Sequence, residues 1–219
     1  GEGVELLLNS MVKILPSADE ARPETATDQS GNVVELTCDP DGPLAAVVFK
    51  TIADPFVGKM SYFKVISGKL APGAAVVNAR TGDSERIGKV MTVKGGKTED
   101  ADYIAAGDIG AVSKLGDVKT GDTLTGAGNP LMGIEFPQPS ITIAIAPKKT
   151  GDEEKITQAM ARICEEDPSI RLENNRETHQ QTVSGLGEQQ LDVVLSKLKS
   201  KYGVEAELSV PKTPYRETI

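Results

Sequence analysis

The sequence predicts two domains of different class, an antiparallel β-barrel followed by a ferredoxin-like βαββαβ two-layer sandwich. Three observations carry this. From about residue 33 to 126, short apolar runs alternate with turns rich in glycine, the pattern of antiparallel all-β structure. From 141 to 210 the rhythm changes to strand, helix, strand, strand, helix, strand, the order of a split βαβ unit. Between them Phe136-Pro137-Gln138-Pro139 forms a stiff connection, because each proline restricts itself and the residue before it. The expected partition is a helical segment at 1–18, the barrel at 19–135 and the sandwich at 136–219.

The chain opens with Val4, Leu7, Leu8, Met11, Val12 and Leu15 at helical spacing, stopped by Pro16, which predicts one amphipathic helix. It has no companion element nearby, as expected of a piece of something larger. The following PSADEARPETATDQSGN has the polar, proline-bearing composition of a linker. Strands are expected in LAAVVFKTI (44–52), MSYFKVI (60–66), AAVV (74–77), RIGKVMTV (86–93), DIGAV (108–112) and DTLTG (122–126). Such short strands expose edges unless the sheet closes on itself, which favours a barrel or sandwich.

In the second domain, ITIAIAP (141–147) places Ile141, Ile143 and Ile145 on one face of a strand. A helix over 152–167 sets Ile156, Met160 and Ile163 on one stripe, with Asp152, Glu153 and Glu154 in its first turn, where they suit the helix dipole. Ile170 and Leu172 alternate, and TVSG (182–185) follows a polar reversal. A second helix over 188–203 aligns Leu191, Val194 or Leu195, Leu198 and Tyr202 and closes at Gly203; VEAELSV (204–210) then alternates as a strand. Two helices with one apolar stripe each and four strands with one apolar face make two layers.

Composition narrows the chemistry. A net charge of −8, from 32 acidic and 24 basic residues, argues against a free-standing nucleic-acid binder, although a local basic strip can still dock on RNA. One histidine, His179, leaves no histidine cluster for a metal or a triad. It falls in the polar reversal NNRETHQQT and reads as a solvated loop residue. Cys38 and Cys164, 126 positions apart without a CxxC, read as reduced packing thiols, and a cytoplasmic setting is expected. The apolar runs are far shorter than the roughly 20 residues of a spanning helix, so no membrane association is expected. Gly95-Gly96-Lys97-Thr98 matches only the second half of a phosphate loop: the required first glycine is replaced by Met91, and no helix is expected to follow. A hairpin turn is the better reading, with no nucleotide pocket there. Gly185-Leu186-Gly187-Glu188 reads as a tight strand-to-helix turn. Lys197, Lys199 and Lys201 end the last helix, where they complement its dipole on a wet surface or form a small phosphate-contacting strip; composition leaves both open. No catalytic, cofactor-binding or metal-binding residue is expected.

Three long segments, DPFVGKMSYFKVISGKLAPGAAVVNA (54–79), AGDIGAVSKLGDVKTGDTL (106–124) and EEDPSIRL…GLGEQQLDVVLSKLKSKYGVEAE…PYRETI (165–218), closely resemble the translation elongation factor G family. The opening GVELLLNSMVKILPSA resembles the helix that ends that family's GTP-binding domain. The resemblance implies that 1–18 is the tail of domain I, 19–135 is domain II and 136–219 is domain III. It further implies a ribosome-dependent GTPase that drives tRNA–mRNA translocation, with GTP and Mg bound by a domain outside this chain. The implied partners are the ribosome, through small-subunit rRNA and ribosomal proteins, and the factor's own domains I, IV and V, with the chain acting as a monomer. Domain II of the family touches small-subunit rRNA, which makes Lys59, Lys64, Lys69, Arg80 and Arg86, with Lys197 and Lys201 of domain III, the candidate rRNA contacts. The chain departs from the family at Gly187-Glu188-Gln189-Gln190-Leu191, where Gly-Glu-Leu-His-Leu is usual, and at Cys38-Asp39-Pro40-Asp41-Gly42. A specialised paralogue or a ribosomal protection factor is therefore the second reading. A small-ligand-binding regulatory module is the third.

Overall fold

A computed structural model describes residues 2–27, 30–54, 58–126 and 134–215. The chain divides into two compact units, Gly1–Lys50 with Met60–Gly133, and Thr51–Lys59 with Ile134–Ile219. The expected turn at 54–58 lies partly outside the described residues, at 55–57, as does the end of the extended exit, at 216–219.

The first unit begins with helix α1 (Val4–Ile14), which buries no side chain; Leu6 is 72% exposed and Val12 84%. The strands up to residue 125 are β1 (Glu24–Thr27), β2 (Val33–Leu36), β3 (Ala45–Asp54), β4 (Gly58–Ser67), β5 (Lys69–Leu70), β6 (Ala75–Asn78), β7 (Ser84–Arg86), β8 (Val90–Lys94), β9 (Lys97–Ala101), β10 (Ile104–Ala105), β11 (Ile109–Ser113) and β12 (Thr123–Thr125), all in the first unit except the end of β3 at 51–54 and the start of β4 at 58–59. Eight of these form one sheet in the order β7-β6-β12-β3-β4-β11-β8-β9, while β10 pairs with β5 and β1 with β2. Every strand pair described is antiparallel, and the sheet curls into the β-barrel. On β4 the side chains alternate, so Phe63 and Val65 enter the core with Ala46, Val48, Val76, Val112 and Leu124, while Tyr62 and Lys64 face outward.

Five of the six expected strand segments are strands with boundaries shifted by a few residues; the sixth, 86–93, is broken at 87–89, with Arg86 ending β7 and β8 beginning at Val90. The 16–32 segment differs from its linker reading: β1 lies inside it. Thr25 and Thr27 are β-branched, the ladder to β2 pairs Ala26 with Val34, and Ala26 is buried against Ile66. Packing on the outside of the barrel overrides a polar local composition.

The second unit contains β13 (Ile141–Pro147), α2 (Glu153–Glu166), β14 (Arg171–Asn175), β15 (Gln180–Gly185), α3 (Glu188–Tyr202) and β16 (Ala206–Ser209). The sheet order is β14-β15-β13-β16, all antiparallel, the ferredoxin-like arrangement. The stripes read from the sequence form the core: Ile156, Met160 and Ile163 of α2 and Leu191, Val194 and Leu198 of α3 pack with Ile145 and Val183. Burial pushes the Cys164 thiol on α2 up to about 11, so it stays protonated as a packing group.

Gly110 on β11 faces Phe63 in the ladder, and a Cβ there would lie 2.6 Å from Ile104 Cγ1 and 2.8 Å from Phe63 Cζ. A Gly110→Ala substitution should destabilise the first unit by about 1–3 kcal/mol through overpacking. Gly88→Ala, where a Cβ meets nothing within 4 Å, should stay within about 0.5 kcal/mol of the parent. Urea denaturation of the two variants checks the contrast.

Candidate functional site

The seven candidate cations separate by their partners. Arg80, following β6, holds the most enclosed acid near it. Its Nε donates to Asp122 Oδ1 at 2.7 Å and its Nη2 to Asp122 Oδ2 at 3.0 Å and the Asp117 carbonyl at 2.7 Å. Asn78 Nδ2 (2.8 Å) and the Lys119 N–H (2.9 Å) also donate to Asp122 Oδ2. The Asp122 side chain is 5% exposed. Burial pushes its carboxyl up, but the hydrogen bonds from Arg80, Lys119 and Asn78 outweigh that and hold it below the usual carboxylate range. Arg80 thus ties the loop before β12 to the end of β6.

Lys69 pairs with Asp41 at 2.9 Å and lies 5.9 Å from the centre of the Tyr103 ring. In the second unit, Lys59 stands 3.8 Å from Glu165. Lys201 and Lys197 of α3 converge on Glu166 at the end of α2, at 2.6 and 3.3 Å, and the Ala53 N–H donates to the same carboxylate at 3.0 Å. Burial pushes Glu166 up, and the donors from Lys201 and Ala53 outweigh it, leaving the carboxyl lowered. The two lysines therefore fasten α3 to α2. Lys199 pairs with Glu205 at 2.8 Å.

Two of the seven have no ionic partner among the described residues. Arg86 ends β7 and is exposed. Lys64 on β4 is half-buried, faces Ile109 across the ladder and borders a cavity of about 80 Å³ with Arg22, Glu24 and Cys38. In the sheet order β6, β12 and β3 stand between their strands, so the structure does not gather the seven into one strip.

The remaining motifs resolve as follows. Gly95-Gly96 is the two-residue turn between β8 and β9, so Lys97 and Thr98 enter a strand, and these residues do not fit a nucleoside triphosphate. His179 occupies the left-handed region (φ 52) in the β14–β15 turn. The turn 185–187 is tied down by Gln190: its Oε1 accepts from the Leu186 N–H at 2.6 Å, and its Nε2 donates to Asp167 Oδ2 at 3.0 Å and Ser169 Oγ at 2.8 Å. A Cβ on Gly185 would sit 2.7 Å from that Oε1, so a larger residue there would push the Gln190 amide out of this position. Local sequence carried no signal for this network, whose members are spread over 23 positions.

The Asp122 contribution to stability should be complete above the ordinary carboxylate range, near pH 4, and disappear as pH falls through the lowered native value. Asp122→Asn should remove that part of the acid dependence. Arg80→Ala, which leaves the enclosed carboxylate without its charge partner, should cost about 3 kcal/mol at neutral pH. Thermal unfolding followed from about pH 2.5 to about pH 7, a span that brackets the ordinary carboxylate range, measures both.

Comparison with known proteins finds two family domains in succession. Residues 43–127 match the family described as Elongation factor G domain 2, and residues 136–210 match Elongation Factor G, domain III; together they span more than half of the chain. A crystal structure from Thermus thermophilus is similar at a TM-score of 0.75 and 30% identity over 98% of this chain. The chain spans 30% of that protein's length. With a barrel and a ferredoxin-like sandwich in that succession, this chain belongs to the elongation factor G family and carries its domains II and III.

Proposed function

We propose that this chain is the middle part of a ribosome-dependent translational GTPase, docking on the ribosome and transmitting conformational change while catalysing nothing itself. The parent factor would use GTP hydrolysis, with Mg, to drive tRNA–mRNA translocation in the cytoplasm, and the nucleotide would be held by a domain outside these 219 residues. The observation that carries this reading is the pair of family domains, II then III, matched in one chain. The parting of the cations by their partners refines it. Arg80, Lys197 and Lys201 are committed to Asp122 and Glu166, so their first role is to hold the units in shape. Lys64 and Arg86 are the candidates whose charge is left for an rRNA phosphate.

Binding of the chain to purified small ribosomal subunits tests this. Lys64→Glu with Arg86→Glu should weaken sedimentation with the subunits and flatten its salt dependence, because each lost phosphate contact removes about 0.7–0.9 from the slope of log affinity against log salt. Lys201→Ala should instead lower thermal stability, by about 1–3 kcal/mol for a half-orphaned Glu166. A native chain that does not bind the subunits at low salt overturns the docking role.

A further inference from the structure

The polar stretch leading into β1 forms one wall of the cavity that Lys64 borders, and two contacts pin it to the barrel. At one end Ala18 approaches Gly107 so closely that a Cβ on that glycine (φ 87) would lie 2.6 Å from Ala18 Cβ and 3.0 Å from Cys38 Sγ. At the other, Ala26 is buried against Ile66. The cavity between them, about 80 Å³, has room for several waters at roughly 10–15 Å³ each. It falls well short of the roughly 300 Å³ at which sites for drug-sized molecules begin, so a ligand here is small. Three charged side chains stand at its walls with no ion pair or side-chain hydrogen bond among the described residues: Arg22, Glu24 and Lys64. The remaining charged group, Asp19, already accepts from the Ser17 hydroxyl. Lys64 is half-buried, and a cation partly withdrawn from water without an acceptor is destabilising. Guarding a sheet edge does not account for it, because β4 is paired on both sides, with β3 and β11. Glu24 faces Leu36 across its ladder, so no cross-strand cation accounts for it either.

We propose that this cavity binds a small zwitterion of the α-amino acid class, its carboxylate held by Lys64 and Arg22 and its ammonium by Glu24. Two unengaged cations and one unengaged acid match the two ends of such a molecule, and charge-assisted hydrogen bonds are the strong ones. The planar Arg22 guanidinium suits a carboxylate in particular, because it can donate two parallel bonds to it. A carboxylate alone would leave Glu24 unengaged beside it, and an amine alone would face two cations. Leu36 and Ile66, also at the walls, offer methyl groups to a short apolar side chain. The proposal goes beyond the ribosomal reading and does not depend on it, although both draw on Lys64: a ligand in the cavity would withdraw that charge from an rRNA phosphate.

Cys38 lies at the cavity wall and supplies the readout. The test follows its alkylation by iodoacetamide, resolved from that of Cys164 by peptide mass spectrometry, with L-alanine and L-valine as probes. At about ten times the dissociation constant the rate should fall about tenfold, and the melting temperature should rise with ligand concentration. Propionate and isopropylamine, which carry one of the two charges each, should protect far less. Glu24→Gln and Lys64→Gln should each lose the protection while melting with the native chain when no ligand is present. If neither amino acid slows alkylation or raises the melting temperature of the native chain, the proposal falls. Equal protection by propionate would reduce the cavity to a plain anion site and overturn the zwitterion assignment, as would undiminished protection in Glu24→Gln. The native chain with the three ligand classes decides the matter even where a variant fails to fold, and none of these outcomes bears on binding to ribosomal subunits.

Discussion

The antiparallel register of β4 against β11 is the constraint on which the first unit rests. It places Phe63 opposite Gly110 and Lys64 opposite Ile109, and so decides which side chains of β4 enter the barrel. A slip of one residue would turn Phe63 and Val65 outward and bring Lys64 into the core. Gly110 protects the register from within, since the space above it is filled by Ile104 and the Phe63 ring. The second unit depends on the same principle, with Ile143 opposite Val183 on the face covered by α2 and α3.

Charge is organised on that frame. Acidic residues outnumber basic ones, 32 to 24, and the cations that look most suited to grip RNA mostly hold the protein's own carboxylates. Asp122 and Glu166 show why: each is largely removed from water, and a buried carboxylate without donors is costly. Each accepts from basic side chains and from a backbone N–H. Of the seven candidates, Lys64 and Arg86 are left without an ionic partner among the described residues, and both lie on barrel strands, where local geometry and not net charge governs an encounter with a polyanion.

The turn after β15 shows how one side chain can fix a strand-to-helix junction. Gln190 offers an amide whose oxygen and nitrogen are both engaged, tying Leu186 to Asp167 and Ser169. The exposed α1, by contrast, has an apolar stripe and no covering element within its unit among the described residues.

Much of the fold was legible from local pattern. Alternation in MSYFKVI, the stripe Ile156–Met160–Ile163 and the glycine-bearing turns are consequences of periodicity, which neighbouring residues settle among themselves. The family resemblance lay in contiguous segments and was legible for the same reason. The strand β1 escaped because Ala26 becomes apolar core only when Ile66, forty positions on, packs against it. The individual role of each lysine escaped as well. Sequence determined that Lys197 and Lys201 share a helical face; only the tertiary structure decided that Glu166 would meet them there, and that Lys94 would face Lys97 across a ladder. Ion pairing is a matter of distances of a few ångströms between residues far apart along the chain, and those distances come into being only when the elements pack.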